Sequence, residues 1–558
     1  MGAASSRGGD AARAAAREHT KRCRERRRLA REAVRLRRHL AASHAAYLRS
    51  LSVVASTLTR FAVGEAPIPV SDHTPPAVIV HRPVSPSSPP PLLRSIERQR
   101  EEDGIFDVGA AAMRAEGVGE GDQELKMVVK HRSLAEVAAG LEEYFVKASA
   151  AGDAVSSLLE TSSDELKGGS HSFLGALCCL SAPSVTHERV DSMNGGQRHS
   201  STLQQLLAWE KKLCKDVKAR ERLQIRHDKK LAELRDQEYS RKIDVDIQKL
   251  KAAWERARAQ LAAASQAVDA SSSAIAELRD THLALQLLRL CHATIDMWRA
   301  MRQHHGAQSL IAQQLRGLSS RTSMEPTTEI QHEATRALEA AMNVWYATMG
   351  HMAKHQRDYV HAIHGWLKLT LTPVKGVEAS PVAAELTALV DRWGKVLDRV
   401  HCADVLKSIK NFATAARTLY ALQSDELRVA RRVRQYSREL DRKSRMLRQV
   451  EKSYYDSFAP AGISLLRWGR PWREDHMQAR VAHEVAQRRD EIASCRKMVE
   501  DEMRRHAKAI DATRLATVSS VQGKLPAVFQ AMAAFSVSFA HALEAACRAP
   551  QNTHTVAH

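Results

Sequence analysis

Aromatic residues make up only 5% of the 558-residue chain, and runs of β-branched residues are sparse. Both scarcities argue against a β-sandwich, barrel or propeller, whose strands draw on those residue types. The eight cysteines (Cys23, Cys178, Cys179, Cys214, Cys291, Cys402, Cys495 and Cys547) are scattered without a CxxC pair. That spacing suggests neither a disulfide framework nor a zinc ribbon. The amino terminus has no apolar core of the kind a secretory signal needs, so reduced thiols in an intracellular compartment are expected. No run of about 18 uninterrupted apolar residues is present, so a transmembrane helix is not expected. The chain also lacks GxGxxG, a Walker P-loop, GxSxG and HExxH. Its carboxylates are dispersed among basic residues at helical spacings, as surface ion pairs are, and no catalytic dyad stands out. Neither an enzyme nor a cofactor is expected. His351 and His355 share a helical face, with His361 and His364 one to two turns later, but no acidic or Cys ligand completes a metal set. These histidines are expected to be solvated or to pack, and Trp298, Trp345, Trp366 and Trp393, in helical patterns, are expected to pack in the core.

What is abundant is Ala, Leu, Arg, Glu, Gln and Lys, the strong helix formers. Length alone suggests roughly three or four domains. The patterning reduces this to an all-α chain: long antiparallel helices in a coiled-coil bundle, a separate amino-terminal basic helix, and disordered linkers. Positive charge is the other excess. Lys and Arg outnumber Asp and Glu by 20, with a pI near 9.7. Such an excess points to an acidic partner: nucleic acid, an anionic membrane or acidic protein segments.

Over half of that charge lies at one end. Residues 1–60 hold fifteen Arg or Lys against four Asp or Glu, a net of +11. The run from Lys21 to Arg38 has neither Gly nor Pro, which predicts a helix. Leu29, Leu36, Leu40, Tyr47, Leu51, Val54, Leu58 and Phe61 form its continuous apolar stripe. The expected membrane or nucleic-acid contacts are Arg7, Arg13, Arg17, Lys21, Arg22, Arg24, Arg26, Arg27, Arg28 and Arg31. The leucine heptad after the basic run fails, because Leu29 and Leu36 are followed by Ser43 and Ser50. Residues 1–60 also contain no Asn, the usual bidentate reader of adenine. Sequence-specific DNA reading is therefore disfavoured. Nonspecific phosphate contact and nuclear import remain alternatives.

The chain opens Met1-Gly2-Ala3-Ala4-Ser5-Ser6, which fits the N-myristoylation pattern with Gly2 as acceptor. One myristoyl chain binds a bilayer marginally, on the order of 10⁴ M⁻¹, so a second signal is required. Basic residues near an anionic surface add about 1 kcal/mol each. Ala3 provides no thiol for palmitoylation, and Cys23 is expected to pack within the helix.

Residues 66–122 break the helical pattern. Nine of the seventeen prolines fall between Pro67 and Pro91, so the segment reads as an extended, disordered linker. Ser85 and Ser88, each followed by Pro, are candidate proline-directed phosphorylation sites. A helical domain is expected over 123–435, beginning with helix from near Gln123 to Glu160. A flexible Ser/Gly-rich insert follows at 161–200. Ser200-Ser201-Thr202 then caps a helix from Leu203. Ile243, Ile247, Leu250, Trp254, Ala257 and Leu261 step at coiled-coil spacing. Further helices are expected over about 270–315, 327–369 and 382–456, the last with a basic run from Arg428 to Arg448. A carboxy-terminal helical region, 436–548, includes helix over 474–518 and a short last helix with Val528, Met532, Phe535, Phe539 and Leu543 on one face.

Several stretches resemble a plant family that pairs a short amino-terminal domain of unknown function, DUF630, with a larger one, DUF632. The Met-Gly start, Cys23, Glu25, Arg26, Arg27, Ala33, Leu40, Ala41, His44, Tyr47, Ser50, Leu51, Phe61, Gly64 and Glu65 carry the first likeness. Leu141 to Glu160, Ser201 to Arg235, Met297-Trp298 and Gly365-Trp366-Leu367 carry the second. Together they cover about 1–65 and 123–430. Many members begin Met-Gly-Cys, where this chain has Ala3. The resemblance implies a non-enzymatic helical regulator in plant signalling, nitrate signalling included, or in development. The leading expectation is an adaptor held reversibly at the cytoplasmic face of the plasma membrane, binding signalling or transcription-regulatory proteins through helical faces. Homo-oligomers through coiled coils are a further expectation. The alternatives are a nuclear transcriptional regulator and a curved helical membrane-shaping module.

Overall fold

The computed structural model describes residues 2–64, 77–81, 125–160, 198–240, 247–317, 325–371, 380–458 and 472–548, with side chains of the first helix described from Arg17 onward. The protein is an all-α bundle with one small β-ribbon. In chain order the elements are α1 (Gly2–Gly64), β1 (Ala77–His81), β2 (Leu125–Val129), α2 (Leu134–Ala150), α3 (Asp153–Leu158) and α4 (His199–Ser240). Then come α5 (Ile247–Glu277), α6 (Ala284–Gln313), α7 (Glu329–Thr370), α8 (Pro381–Arg399), α9 (Ala403–Phe458), α10 (Trp472–Ser519) and α11 (Leu525–Cys547). A π-helical turn, Leu278–Leu283, joins α5 to α6, and a second, Ser520–Lys524, joins α10 to α11.

The axis of the bundle is the antiparallel pair α1 and α7. Thr328 and Gln331 start α7 with a reciprocal capping box, at 3.2 and 2.6 Å. Along the pair, Gly64 lies beside Gln331, Thr348 Oγ1 donates to Ser50 Oγ at 3.0 Å, and Gly365 lies beside Leu29. The amino-terminal helix, expected to stand apart, is thus the bundle's longest packed element. The cause is its apolar stripe: Leu36, Leu40, Tyr47, Leu51, Val54, Leu58 and Phe61 are all buried. α2, α6, α8 and α11 complete the core. Trp298 on α6 meets Phe535 and Phe539 of α11 edge-on at 5.3 and 5.0 Å, and Phe145 on α2 meets Trp345 and Phe529, both at 5.7 Å. An 18-residue window within Ala479–Cys547 is apolar enough to cross a membrane by composition alone. Of that window 44% is buried, and within the span Val528, Phe529, Met532, Phe539 and Leu543 pack against the bundle.

Two hairpin arms leave this body at opposite ends of α7. In the first, α4 and α5 run antiparallel, tied by Asp216, Ser271 and Lys212 and by Trp254 Nε1 donating to His227 Nε2 at 3.2 Å. Ala257 of the expected coiled-coil stripe is buried, and Ile247, Leu250, Trp254 and Leu261 are half-buried, while Ile243 lies outside the described residues. In the second arm, α9 pairs antiparallel with α10 through Arg489–Glu451 (2.8 Å) and Lys443–Glu491 (3.6 Å). Arg431 on α9 pairs with Glu329, the first residue of α7, at 3.0 Å. The 27 residues of α9 beyond that point carry the arm about 40 Å past the body.

Several local expectations change. Ala77–His81, inside the expected linker, is a strand paired antiparallel with Leu125–Val129, in register Ala77 to Val129 and His81 to Leu125. Its sequence, AVIVH, is the β-branched run in that region. The same pairing makes Leu125–Val129 a strand where a helix from Gln123 was expected. The helix begins at Leu134, capped by Ser133. α4 starts at His199, four residues early, because Glu160, held at a left-handed φ of 55°, accepts hydrogen bonds from Ser200 N and Ser200 Oγ. Ser85, Ser88 and residues 161–197 lie outside the described residues.

Candidate functional site: a basic ridge on the first helix

α1 has one open edge. Its buried faces carry Cys23, Ala30, Ala33, Leu36 and Leu40 against the body. The edge opposite exposes Arg17, Lys21, Arg24, Arg28, Arg31, Arg35 and Arg38. These positions step 4, 3, 4, 3, 4, 3, so their side chains form a straight ridge along the helix, about 32 Å long. The only carboxylates within it are intrahelical. Arg28 donates to Glu25 at 2.6 Å and to Glu32 at 3.0 Å, and Arg35 lies 3.7 Å from Glu32. The pairing with Arg28 holds the Glu25 carboxyl below the usual range. Such exposed pairs leave the ridge strongly positive.

The structure sorts the expected contact residues. Arg17, Lys21, Arg24, Arg28 and Arg31 lie on the ridge, and Arg22 and Arg27 are half-buried on its flanks. Arg26 does not belong to a surface site. Its guanidinium reaches the fully buried Glu210 on α4, with Nε at 3.0 Å and Nη2 at 2.7 Å from Oε1. Trp366 Nε1 donates to the same oxygen at 2.9 Å, so one carboxylate ties α1, α4 and α7 together. Arg37 is also internal, donating to the Leu159 carbonyl at the end of α3 at 2.6 Å, where a cation suits the helix dipole. Arg35 and Arg38 extend the ridge beyond the expected set. The signal that finds them is the period of the cations, which alternates 4 and 3, rather than their density. The side chains of Arg7 and Arg13 lie outside the described residues. Gly2 begins α1, 15 residues and about 22 Å before Arg17. Cys23, the candidate second thiol, is buried, and burial pushes it up to about 11. It packs, as expected.

A second ridge lies on α9. Arg428, Arg431, Arg434, Arg438, Arg442, Arg445, Arg448 and Lys452 are all exposed along one line. Arg428 pairs with Asp425 and Arg431 with Glu329. The other six have no carboxylate within ion-pair distance among the described residues.

Of the four histidines, His351 and His361 are exposed, His361 pairing with Asp398 at 2.9 Å, while His355 and His364 are half-buried. His355 lies between His39 of α1 (5.4 Å between ring centroids) and His351 (6.1 Å), and burial with these neighbours lowers its proton affinity. Among the described residues, no group of three His, Cys, Asp or Glu could hold a metal.

Residues 1–65 match the family described as protein of unknown function DUF630, and residues 134–418 match protein of unknown function DUF632. Neither description assigns a reaction. The protein Rolling and erect leaf 2 of Oryza sativa subsp. japonica is 40% identical over 486 residues, covering 82% of this chain and 62% of its own length. The protein Altered phosphate starvation response 1 of Arabidopsis thaliana is 31% identical over 439 residues, covering 74% of this chain and 66% of its own. The chain therefore spans somewhat under two thirds of these relatives' lengths. No solved structure matches it. α1 and its ridge fall inside the DUF630 match and its axis partner α7 inside the DUF632 match, and the chain belongs to the plant DUF630/DUF632 family.

Proposed function

We propose that the protein is a non-enzymatic regulatory adaptor that lies reversibly on an anionic membrane through α1, with acylated Gly2 at the start of the helix and the Arg17–Arg38 ridge along it. The observation that carries this reading is the ridge: seven solvent-facing cations in one line on a helix whose other faces are buried. A single myristoyl chain is marginal as an anchor. Cations held within a Debye length of anionic headgroups, about 8–10 Å at physiological salt, supply the second signal. A straight ridge about 32 Å long can bring all seven to a flat surface together.

The packing of α1 weighs against the nuclear, DNA-reading alternative. A basic region that reads DNA is a continuous helix seated in a major groove about 12 Å wide. Here α7, α2 and α4 flank α1, and their bulk cannot follow it into a groove. Regulatory partners would dock on the arms, where the α9 ridge suits acidic protein segments. That the named relatives concern leaf form and the phosphate starvation response fits a regulatory role in development or nutrient signalling.

The test is a carboxy-terminal fluorescent fusion of the full chain compared with Gly2→Ala and with Arg24→Glu/Arg31→Glu/Arg38→Glu. Membrane signal that falls in both variants supports the reading. Identical or wholly nuclear distributions would remove it.

A further inference from the structure

Two cysteines 256 positions apart meet where α6 packs on α11. Cys291 Sγ and Cys547 Sγ lie 3.0 Å apart. Cys291 is buried, while Cys547, in the last turn of α11, is half-buried. The contact is fixed from several sides. Arg299 on α6 reaches Glu544 at 3.0 Å, and Arg302 reaches His541 at 3.0 Å. Arg392 on α8 donates to the Ala546 carbonyl at 2.7 Å, beside Cys547. Among the described residues no other two sulfurs are in hydrogen-bond contact.

The two thiols differ in a useful way. Cys547 is the more exposed of the two, and its hydrogen-bond contact with Cys291, together with the positive field of Arg392, holds its thiol below its ordinary range. The same contact, with burial, raises Cys291. The sulfur nearer solvent is therefore the better nucleophile, and the buried one is positioned to resolve what forms on it.

We propose that Cys291 and Cys547 form a redox modification site, in which a peroxide oxidises Cys547 and Cys291 then closes a disulfide that clamps the end of α11 to α6. In the first step the Cys547 thiolate attacks one peroxide oxygen. The O–O bond breaks, and the leaving hydroxide takes up a proton and departs as water, leaving a sulfenic acid. In the second step the Cys291 sulfur attacks the sulfenic sulfur. The S–O bond breaks, and its oxygen leaves as a second water with the Cys291 proton. Two thiols and one peroxide thus yield one disulfide and two waters. A dithiol reductant or glutathione reverses the change by exchange.

The experiment uses the full-length chain treated with stoichiometric hydrogen peroxide. The remaining thiols are then alkylated, and peptides are analysed by mass spectrometry without reduction, for wild type, Cys547→Ser and Cys547→Ala. Circular dichroism of each variant checks that the helices are retained. The expected result is one dominant linked peptide pair joining Cys291 to Cys547, lost on reduction and absent from both variants, with the oxidised wild type melting at a higher midpoint than the reduced protein. Sulfenic or sulfinic acid accumulating on Cys547 while Cys291 is alkylated would overturn the proposal. So would links dominated by other cysteine pairs, or a pair that forms only after denaturation.

Discussion

The two basic ridges share a pitch and differ in what stands behind them. The α1 ridge is one edge of a helix whose other faces are core, from Cys23 to Phe61, with Glu25 and Glu32 interleaved. The α9 ridge lies on a two-helix arm, and six of its cations have no carboxylate within ion-pair distance among the described residues. The first ridge is held rigidly on the body. The second stands clear of it, where an acidic partner can be met without disturbing the bundle. Charge density alone does not distinguish them, and packing does.

The sharpest way to break this contrast is to attack the core behind the α1 ridge. Glu210→Ala leaves the Arg26 guanidinium buried without its counter-charge and should cost about 3–5 kcal/mol. Chemical denaturation reads this as a lower midpoint, whereas Arg438→Ala on the arm should leave the midpoint within about 0.5 kcal/mol of wild type. Acid comes next. Burial lowers His44 and His305 to about 4, against 6.5 when unfolded, so both are neutral in the folded protein at pH 6 while the unfolded chain takes up their protons. Stability is therefore complete above pH 6.5 and is lost as pH falls from 6.5 towards 4, by roughly 3 kcal/mol for each group. Hydrogen exchange at pH 5 should show α1 and α6 loosening before the α9–α10 arm.

Gly152→Ala tests a close approach in the same core. A Cβ there would stand 2.5 Å from Leu48 Cδ1, and the expected cost is about 1–3 kcal/mol in unfolding free energy. The smallest effect on stability, and the most informative about function, comes from the ridges themselves. Arg31→Glu/Arg35→Glu should change folding stability by no more than about 0.5 kcal/mol per site, yet lower co-sedimentation of the acylated chain with phosphatidylserine vesicles and flatten its salt dependence. The matching Arg438→Glu/Arg445→Glu pair should leave vesicle binding unchanged. Equal losses in both pairs would mean that the ridges act alike and that mounting does not matter.

Much of this was legible in the residues. The stripe from Leu36 to Phe61 located the buried face of α1 because a helix places positions three and four apart on one side. The α5 seam and the apolar face of α11 followed from the same period. The breaks were harder. α8 and α9 are parted at Val400, His401 and Cys402 without Gly or Pro, so no local punctuation announced the turn. The long-range partners were out of reach. Nothing near Arg26 marks it as internal, because the residues that take it in, Glu210 and Trp366, lie 184 positions and more away in the chain. At Ala77–His81 the β-branched run AVIVH forms a strand although the prolines around it give the segment the pattern of an extended linker.

The two π-helical turns have a consequence for how the arms are aimed. An α-helix turns 100° per residue, so a turn that takes up one extra residue resets the angular phase of everything beyond it by about that amount. Both return helices pass through such a turn at the point where they enter the body, at Leu278–Leu283 and at Ser520–Lys524. Each long helix can therefore present one face to its arm partner and a different face to the core without a break in the rod. Deleting one residue from either turn would restore uniform phase and swing the seam of that arm about a quarter of the way round, leaving a continuous helix that points its apolar edge at water.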